Sequence, residues 1–296
     1  MNPTDSAPPD SRDELGDRMK MYERLWCYGR PEPITLPGAP PSERLTPGLP
    51  VCVRVDGRAF HTFAAGLERP YDPRLAALMV STTRRLVEET NARVGYTQSD
   101  EISLVLMQES DESTPYFGGR VQKTVSMLAA VASVHFNREL PKYIPEKGHL
   151  SPVLDARVWN VPDEDEAANT LLWRELDAYK NGVASLARCH FSHKALDNKG
   201  RADMLQMLAD KGVDPKVYAR HLLGGTFVVR RTTARPFTAV KLEALPAKHA
   251  ARTNPDLMVT RKDFVTMESL PPLIRLANRV GVLFHGEDPI LNPTTY

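Results

Sequence analysis

The chain has 296 residues, 42% of them apolar or aromatic and 25% charged, with a formal net charge of +1. That length suits one large or two small globular domains with a sizeable core, and the balanced charge excludes a uniformly basic nucleic-acid binder. No apolar stretch is long enough to span a bilayer, and three cysteines, Cys27, Cys52 and Cys189, without Cys-x-x-Cys spacing exclude a disulfide framework.

In chain order, Met1 to Arg12 holds three prolines among small polar residues and is expected to be disordered. Nothing in it reads as a secretory signal, so the cytoplasm is the expected location. Pro31 to Pro50 is again proline-rich and reads as an extended surface loop. Val51-Cys52-Val53 then opens a strand that runs into Arg54-Val55-Asp56-Gly57-Arg58-Ala59-Phe60-His61. Asp72-Pro73 supplies an N-cap with proline at the first helical position, and Leu75, Leu78, Met79, Leu86 and Val87 carry a helix on to Asn91. A second strand ends at Gln98-Ser99-Asp100-Glu101, whose turn returns the chain into the strand Ile102 to Leu106. A right-handed crossover makes the first two strands parallel, with the third antiparallel to both. Gln122 to Asn137 reads as a helix and Leu154 to Val161 as a strand, completing a βαββαβ sheet. Beyond it Glu164 to Ala187 and Arg201 to Leu208 read as helices, and Phe227 to Val229 and Phe237 to Leu242 as strands. The fold class is α+β, a ferredoxin-like, antiparallel-rich sheet with additional helices. The division expected is a disordered 1–12, a catalytic domain over 13–162, and a helical and mixed region over 163–296 packed on it.

The topology puts Asp56 at the end of the first strand and Asp100 on the hairpin turn at the same end of the sheet, so their carboxylates can face each other. Hard oxygen ligands of this kind suit Mg²⁺, and two such ions about 3.5–4 Å apart can activate an attacking oxygen and stabilise a leaving one. Gly57 to His61 adds backbone N–H groups beside the first aspartate, with Gly57 leaving room for a triphosphate. Nucleotidyl transfer is the chemistry this arrangement favours. Asp-Gly and Ser-Asp-Glu are each ordinary turn sequences when met alone, so the pairing on one frame carries the reading. The chain has no P-loop and no Rossmann glycine fingerprint.

Taken together, Arg54-Val55-Asp56-Gly57-Arg58-x-Phe60-His61, Arg69-Pro70-x-Asp72 and Gly95-Tyr96-x-Gln98-Ser99-Asp100-Glu101 resemble the tRNA-His guanylyltransferase family, including its bacterial and archaeal "like" branch. The resemblance begins at Leu15-Gly16-Asp17-Arg18 and continues through Gly118-Gly119-Arg120-x-Gln122-Lys123, Asp155-Ala156-Arg157 and Trp173-Arg174-Glu175-Leu176-Asp177. It fades after about Leu208. It implies a palm-like catalytic domain that adds nucleotides to the 5′ end of tRNA in the 3′→5′ direction with two Mg²⁺ ions, using GTP and ATP, in a homotetramer. By motif match, Asp56, Gly57 and Asp100 would hold the metals, and Asp56, Gly57, Arg58, Ala59, Phe60, His61, Ser99 and Asp100 the nucleotide. Asp56, Asp100 and Glu101 would be the catalytic acids, Glu101 in a supporting role. Arg69, Arg120 and Lys123 match basic residues that handle the triphosphate or the tRNA 5′ end.

One departure bears on substrate. Where tRNA-His-guanylating eukaryotic members carry His-Ile-Asn-Asn, this chain reads Tyr179-Lys180-Asn181-Gly182, which favours templated repair of 5′-truncated tRNA over dedicated tRNA-His recognition. RNA contact must come from local patches such as Lys194, Lys199 and Arg201, or Arg230, Arg231 and Arg235. Cys189, His190 and His193 have part of a zinc spacing but lack evident further ligands, so packing or RNA contact is the better reading. The alternatives are another palm-type nucleotide enzyme such as a cyclase, or a non-catalytic RNA-binding module, for which the aromatic strand motif is missing.

Overall fold

A computed structural model describes residues 12–27, 44–110, 113–218, 220–254, 256–268 and 270–293. The expected disorder of 1–12, apart from Arg12, and residues 31–43 of the expected proline-rich loop lie outside the described residues. The elements are α1 (Arg12–Cys27), β1 (Val51–Gly57), the single turn α2 (Phe60–Phe63), α3 (Pro73–Thr90), β2 (Val94–Gln98), β3 (Glu101–Leu106) and α4 (Val121–Tyr143). They continue with β4 (Leu154–Asn160), α5 (Glu164–His190), α6 (Arg201–Asp210), α7 (Arg220–Gly224), β5 (Thr226–Pro236), α8 (Ala239–Ala244) and β6 (Met258–Met267).

The strands form one six-stranded sheet in the order β4-β1-β3-β2-β5-β6, and every pairing is antiparallel. With β3 lying between them, β1 and β2 run parallel, as the crossover through α3 requires. β4 returns along the other side of β1, completing the expected βαββαβ frame. Residues 226–267 then extend the same sheet from its β2 edge, so the C-terminal region contributes strands as well as helices.

Local signals explain the crossover. The Asp72 carboxylate accepts the Arg74 N–H at 2.9 Å, Pro73 follows the cap, and Asn91 in a left-handed conformation (φ 56°) ends α3. Alternation along β1 sends Val51, Val53 and Val55 to one face of the sheet, where α3 and α4 cover them with Leu78, Met79, Leu86, Leu128 and Phe136. Cys52 faces the other way, into a second core with Leu15 and Met19 of α1, Leu171 of α5 and Leu283. The close seat of α3 on β2 depends on Gly95, where a β-carbon would lie 2.7 Å from the γ-carbons of Thr83 and Val87. A third, smaller core joins Val183, Leu186 and Ala187 of α5 to Leu196 and to Leu208 of α6, making a helical lobe at the C-terminal end of α5.

One expected strand is a helix. Residues 237–242 carry Phe, Thr and Val as a short strand does, yet Ala239–Ala244 forms α8. Ala, Leu, Lys and Glu in that run favour helix, and the neighbouring strands β5 and β6 already pair with each other over ten positions. β6 itself was not among the expected elements, because Met258–Met267 carries Arg261, Lys262 and Asp263 in succession at its centre and lies at the sheet edge.

Candidate active site

The second face of β1 changes character along its length: Cys52 is buried, Arg54 is partly buried, and Asp56 keeps 32% of its side-chain surface exposed. Asp56 stands opposite Glu101 in β3 and opposite Asp155 in β4. Ser99, held at φ 55°, and Asp100 form the two-residue tip joining β2 to β3, and the Gly57 N–H donates to the Asp100 carbonyl at 3.1 Å. This bond ties the hairpin tip to the end of β1, so Asp56 and Asp100 do share one end of the sheet.

Their charges interact. Burial, together with the neighbouring Asp56 carboxylate, pushes the Asp100 carboxyl above its ordinary value, while the Ser99 hydroxyl donates to Asp100 at 3.0 Å. Two carboxylates that repel in a partly dry site suit a divalent cation, whose charge removes the conflict. Among the described residues no group of three or more His, Cys, Asp and Glu side chains is placed to hold a metal. The donor set is therefore two carboxylates with the Gly57 carbonyl beside them, which fits Mg²⁺ completing its shell with water and substrate phosphates.

Glu101 is engaged elsewhere. Its carboxylate takes Arg174 Nε at 2.5 Å and Nη2 at 2.6 Å, and Arg54 Nη2 at 2.8 Å. Burial lifts the Glu101 carboxyl, and the guanidiniums of Arg174 and Arg54 oppose the shift. Arg54 also lies 3.8 Å from both Asp56 and Glu23, and Glu23 takes Arg157 at 2.7 Å. Glu101 is thus the hub of an ion-pair network that fixes Arg54 next to Asp56. Arg174 extends the network outward to Asp177 at 3.2 Å, which in turn accepts from Asn181 at 3.3 Å.

The loop after Asp56 is built differently from the sequence expectation. The Phe60 ring is 4% exposed and packs on Phe63 and Phe136, with centroids 5.0 and 5.5 Å away. Gly57 is required by that ring: a β-carbon there would sit 2.2 Å from it. Phe60 can therefore serve a nucleotide only through its backbone. Arg58, Ala59 and His61 are exposed, with Ala59 in a left-handed conformation (φ 54°) at the start of α2. His61, Arg69 and Ser99 line a cavity of about 320 Å³ together with Glu68, Asp72, Thr97, Ser185, Arg188 and His221.

Arg120 and Lys123 lie elsewhere. Arg120 bridges Arg44 at the start of α4, and the neighbouring Pro115, Tyr116 and Thr124 line a second cavity with Val51 and Leu106. Val51 and Leu106 pair at the far end of β1, five residues from Asp56, or roughly 17 Å of strand. Lys123 stacks over the Phe117 ring at 4.9 Å. Within one chain neither residue joins the carboxylate pair.

The structure adds residues that the motifs alone did not single out as site residues: Asp155 opposite Asp56, the Arg54–Arg174 clasp on Glu101, and Ser185, Arg188 and His221 in the cavity wall. A helical signal existed for part of this set, because Arg174, Asp177, Asn181, Ser185 and Arg188 recur on one face of α5. The basic run at Arg230 is not free for RNA: its side chain is fully buried, bonded to Glu109 and, at 2.8 Å, to Asn91. Arg231 donates to the Val282 carbonyl and Arg235 pairs with Asp263. Cys189 is exposed, with its thiol near the Ser185 carbonyl.

Residues 41–162 match the family model described as tRNAHis guanylyltransferase. An uncharacterised protein of Acanthamoeba polyphaga mimivirus is 29% identical over 222 residues, 66% of this chain and 70% of that protein. The tRNA(His) guanylyltransferase of Schizosaccharomyces pombe is 29% identical over 168 residues, 56% of each chain. This chain thus spans only about half the length of that enzyme. Among solved structures, a bacterial tRNA(His) guanylyltransferase-like protein in complex with ATP superposes with a TM-score of 0.66 at 25% identity, covering 91% of this chain and 98% of that one. A related bacterial structure in complex with GTP shares the fold, with a TM-score of 0.59.

Proposed function

The catalytic core of this chain belongs to the tRNA-His guanylyltransferase family of nucleotidyltransferases, and from that premise we propose that it adds nucleotides to the 5′ end of tRNA in the 3′→5′ direction. The observation that carries the reading is the meeting of Asp56 and Asp100 at one end of the sheet, tied by the Gly57 to Asp100 backbone bond. Asp56, Asp100 and the Gly57 carbonyl would hold Mg²⁺, two ions in all. Bound there, the metal supplies Lewis-acid stabilisation of phosphoryl charge and lowers the pKa of a coordinated hydroxyl.

The chain's own residues do the rest. Arg54, clasped by Glu101, places its positive charge 3.8 Å from Asp56, where it favours phosphate beside the carboxylates. His61, Arg69, Ser99 and the backbone of 59–61 hold the incoming ATP or GTP in and beside the cavity, the Gly57 and Arg58 N–H groups being bonded to the Asp100 and Val153 carbonyls. The 3′-oxygen of that nucleotide attacks the 5′-phosphorus of an RNA end activated as a triphosphate or an adenylate. A new P–O bond forms, the bond to pyrophosphate or AMP breaks, and the hydroxyl proton leaves to solvent.

The reading of Tyr179-Lys180-Asn181-Gly182 points to templated repair of 5′-truncated tRNA in the cytoplasm. Gly182 supports a structural reason for the departure, since a β-carbon there would lie 3.0 Å from the Leu223 carbonyl, where α7 packs on α5. Incorporation of labelled nucleotides onto tRNA-His and onto a 5′-truncated tRNA of another type tests the proposal. Template-matched addition to the truncated tRNA is expected, addition to tRNA-His alone would restore the His-specific role, and triphosphate turnover without RNA would replace both with a cyclase-type reaction.

A further inference from the structure

The helical lobe at the end of α5 carries an uncompensated charge. Residues 180–221 hold eight Lys and Arg against four Asp, with His190, His193 and His221 in addition, while the whole chain holds 38 against 37. Three of the lobe's four acids are occupied locally: Asp203 accepts the Gly200 N–H at 2.8 Å, Asp214 the Lys216 N–H at 2.9 Å, and Asp210 pairs with Gln206 at 2.7 Å. Lys211 and Arg220 are spent on the lobe's own structure, the former on the His190 carbonyl and the latter on Glu175. Lys180, Arg188, Lys194 and Lys199 are exposed, and none of them has an ion-pair partner among the described residues.

Two further features select the ligand. Tyr179 is exposed at the surface with the Arg201 guanidinium 5.8 Å over its ring, the aromatic-plus-cation pairing on which bases stack. Arg188, with Ser185 and His221, also lines the cavity that Ser99 borders, so one member of the charged set stands in the wall of the proposed nucleotide cavity. An acidic protein would use the charge but has no use for the platform or for a cation in the cavity wall.

We propose that the surface formed by Lys180, Arg188, Lys194, Lys199 and the Tyr179–Arg201 pair is the RNA-docking surface of this chain, leading a polynucleotide backbone toward Asp56 and Asp100. It rests on the reading of the carboxylate pair as a site acting on RNA ends. Its physics is that of phosphate contact: affinity falls with salt in proportion to the number of phosphates neutralised.

Fluorescence anisotropy with labelled tRNA between 50 and 200 mM salt, on the full chain and on the double variant Lys194→Glu, Lys199→Glu, tests it. Neither lysine lies in the cavity or at the carboxylates, so ATP and GTP binding and the urea midpoint should be unchanged. The expected result is tRNA binding about tenfold or more weaker at low salt, with a log–log salt slope shallower by about 2. A variant that binds tRNA like the parent overturns the docking surface and leaves the proposed reaction standing. A parent chain that binds ATP and GTP but no tRNA overturns both. Loss of polyglutamate binding with tRNA binding kept would assign the surface to an acidic protein and overturn it as well.

Discussion

Arg174 on α5 meets Glu101 on β3 through two nitrogens, at 2.5 and 2.6 Å, in a pair whose side chains are only 12% and 13% exposed. A fork of this kind fixes orientation as well as charge. Glu101 therefore acts as the clamp between α5 and β3, and Arg54 beside Asp56 inherits its position from it.

Breaking that clamp from either side should be costly. Arg174→Ala leaves Glu101 buried with one cationic partner and is expected to lower stability by about 3–5 kcal/mol, the usual cost of half a buried pair. Arg174→Lys keeps the charge but loses the fork, and should fall between the parent and Arg174→Ala in both urea midpoint and nucleotide addition. Equal midpoints for parent and Arg174→Ala would show that the clamp holds nothing.

The carboxylates proposed to hold the metal should behave in the opposite way. Asp56→Ala and Asp100→Ala are each expected to abolish nucleotide addition while leaving the circular dichroism spectrum intact. Because burial and the Asp56 charge work against ionised Asp100, Asp100→Asn should raise the urea midpoint as it removes activity. Retained incorporation in either alanine variant would remove the two-metal mechanism.

Gly57 is expected to tolerate no side chain while Phe60 is present. Gly57→Ala places a methyl 2.2 Å from the ring, an overpacking conflict of about 1–3 kcal/mol. Pairing it with Phe60→Leu should recover part of that loss, giving a non-zero coupling in a double-mutant cycle read by chemical denaturation. Additive effects would place the glycine's role elsewhere.

Acid sensitivity should appear far from the carboxylate pair. Hydrogen bonding to Arg230 holds Glu109 down to about 2 from an ordinary 4.5, with Lys262 assisting. A carboxyl with a depressed folded-state value contributes stability that is full above about pH 4.5 and is lost as the pH falls toward 2. Glu109→Gln should lower the urea midpoint at pH 6 and flatten its fall between pH 5 and 2; a parallel fall in both proteins would exclude the pair as the acid-sensitive element.

Much of this protein was legible in its sequence. The Asp72-Pro73 cap, the apolar spacing of α3 and the two acidic motifs flanking it specify the crossover, the hairpin and the end of the sheet where Asp56 and Asp100 meet, because each is a local pattern of period or capping. The motifs also indicated the family, since they lie on those same elements.

What lay beyond local pattern was decided by packing. The 237–242 segment carries strand-favouring Phe, Thr and Val, yet β5 and β6 already pair with each other over ten positions, and it coils into α8. Phe60 read as a nucleotide contact because its motif neighbours are polar, yet Phe63 and Phe136 draw its ring into the core. Arg120 and Lys123 share motif spacing with the site and stand at the far end of β1, since helix α4 begins there. Arg174 is separated by 73 positions from its partner Glu101, and no periodicity links residues so far apart. Sequence alone determined the βαββαβ frame, the carboxylate pair and the chemistry they favour, because those depend on residue type and short-range spacing. Tertiary structure decided which charges are spent on ion pairs and which remain free, because that depends on the chance neighbours that folding brings together.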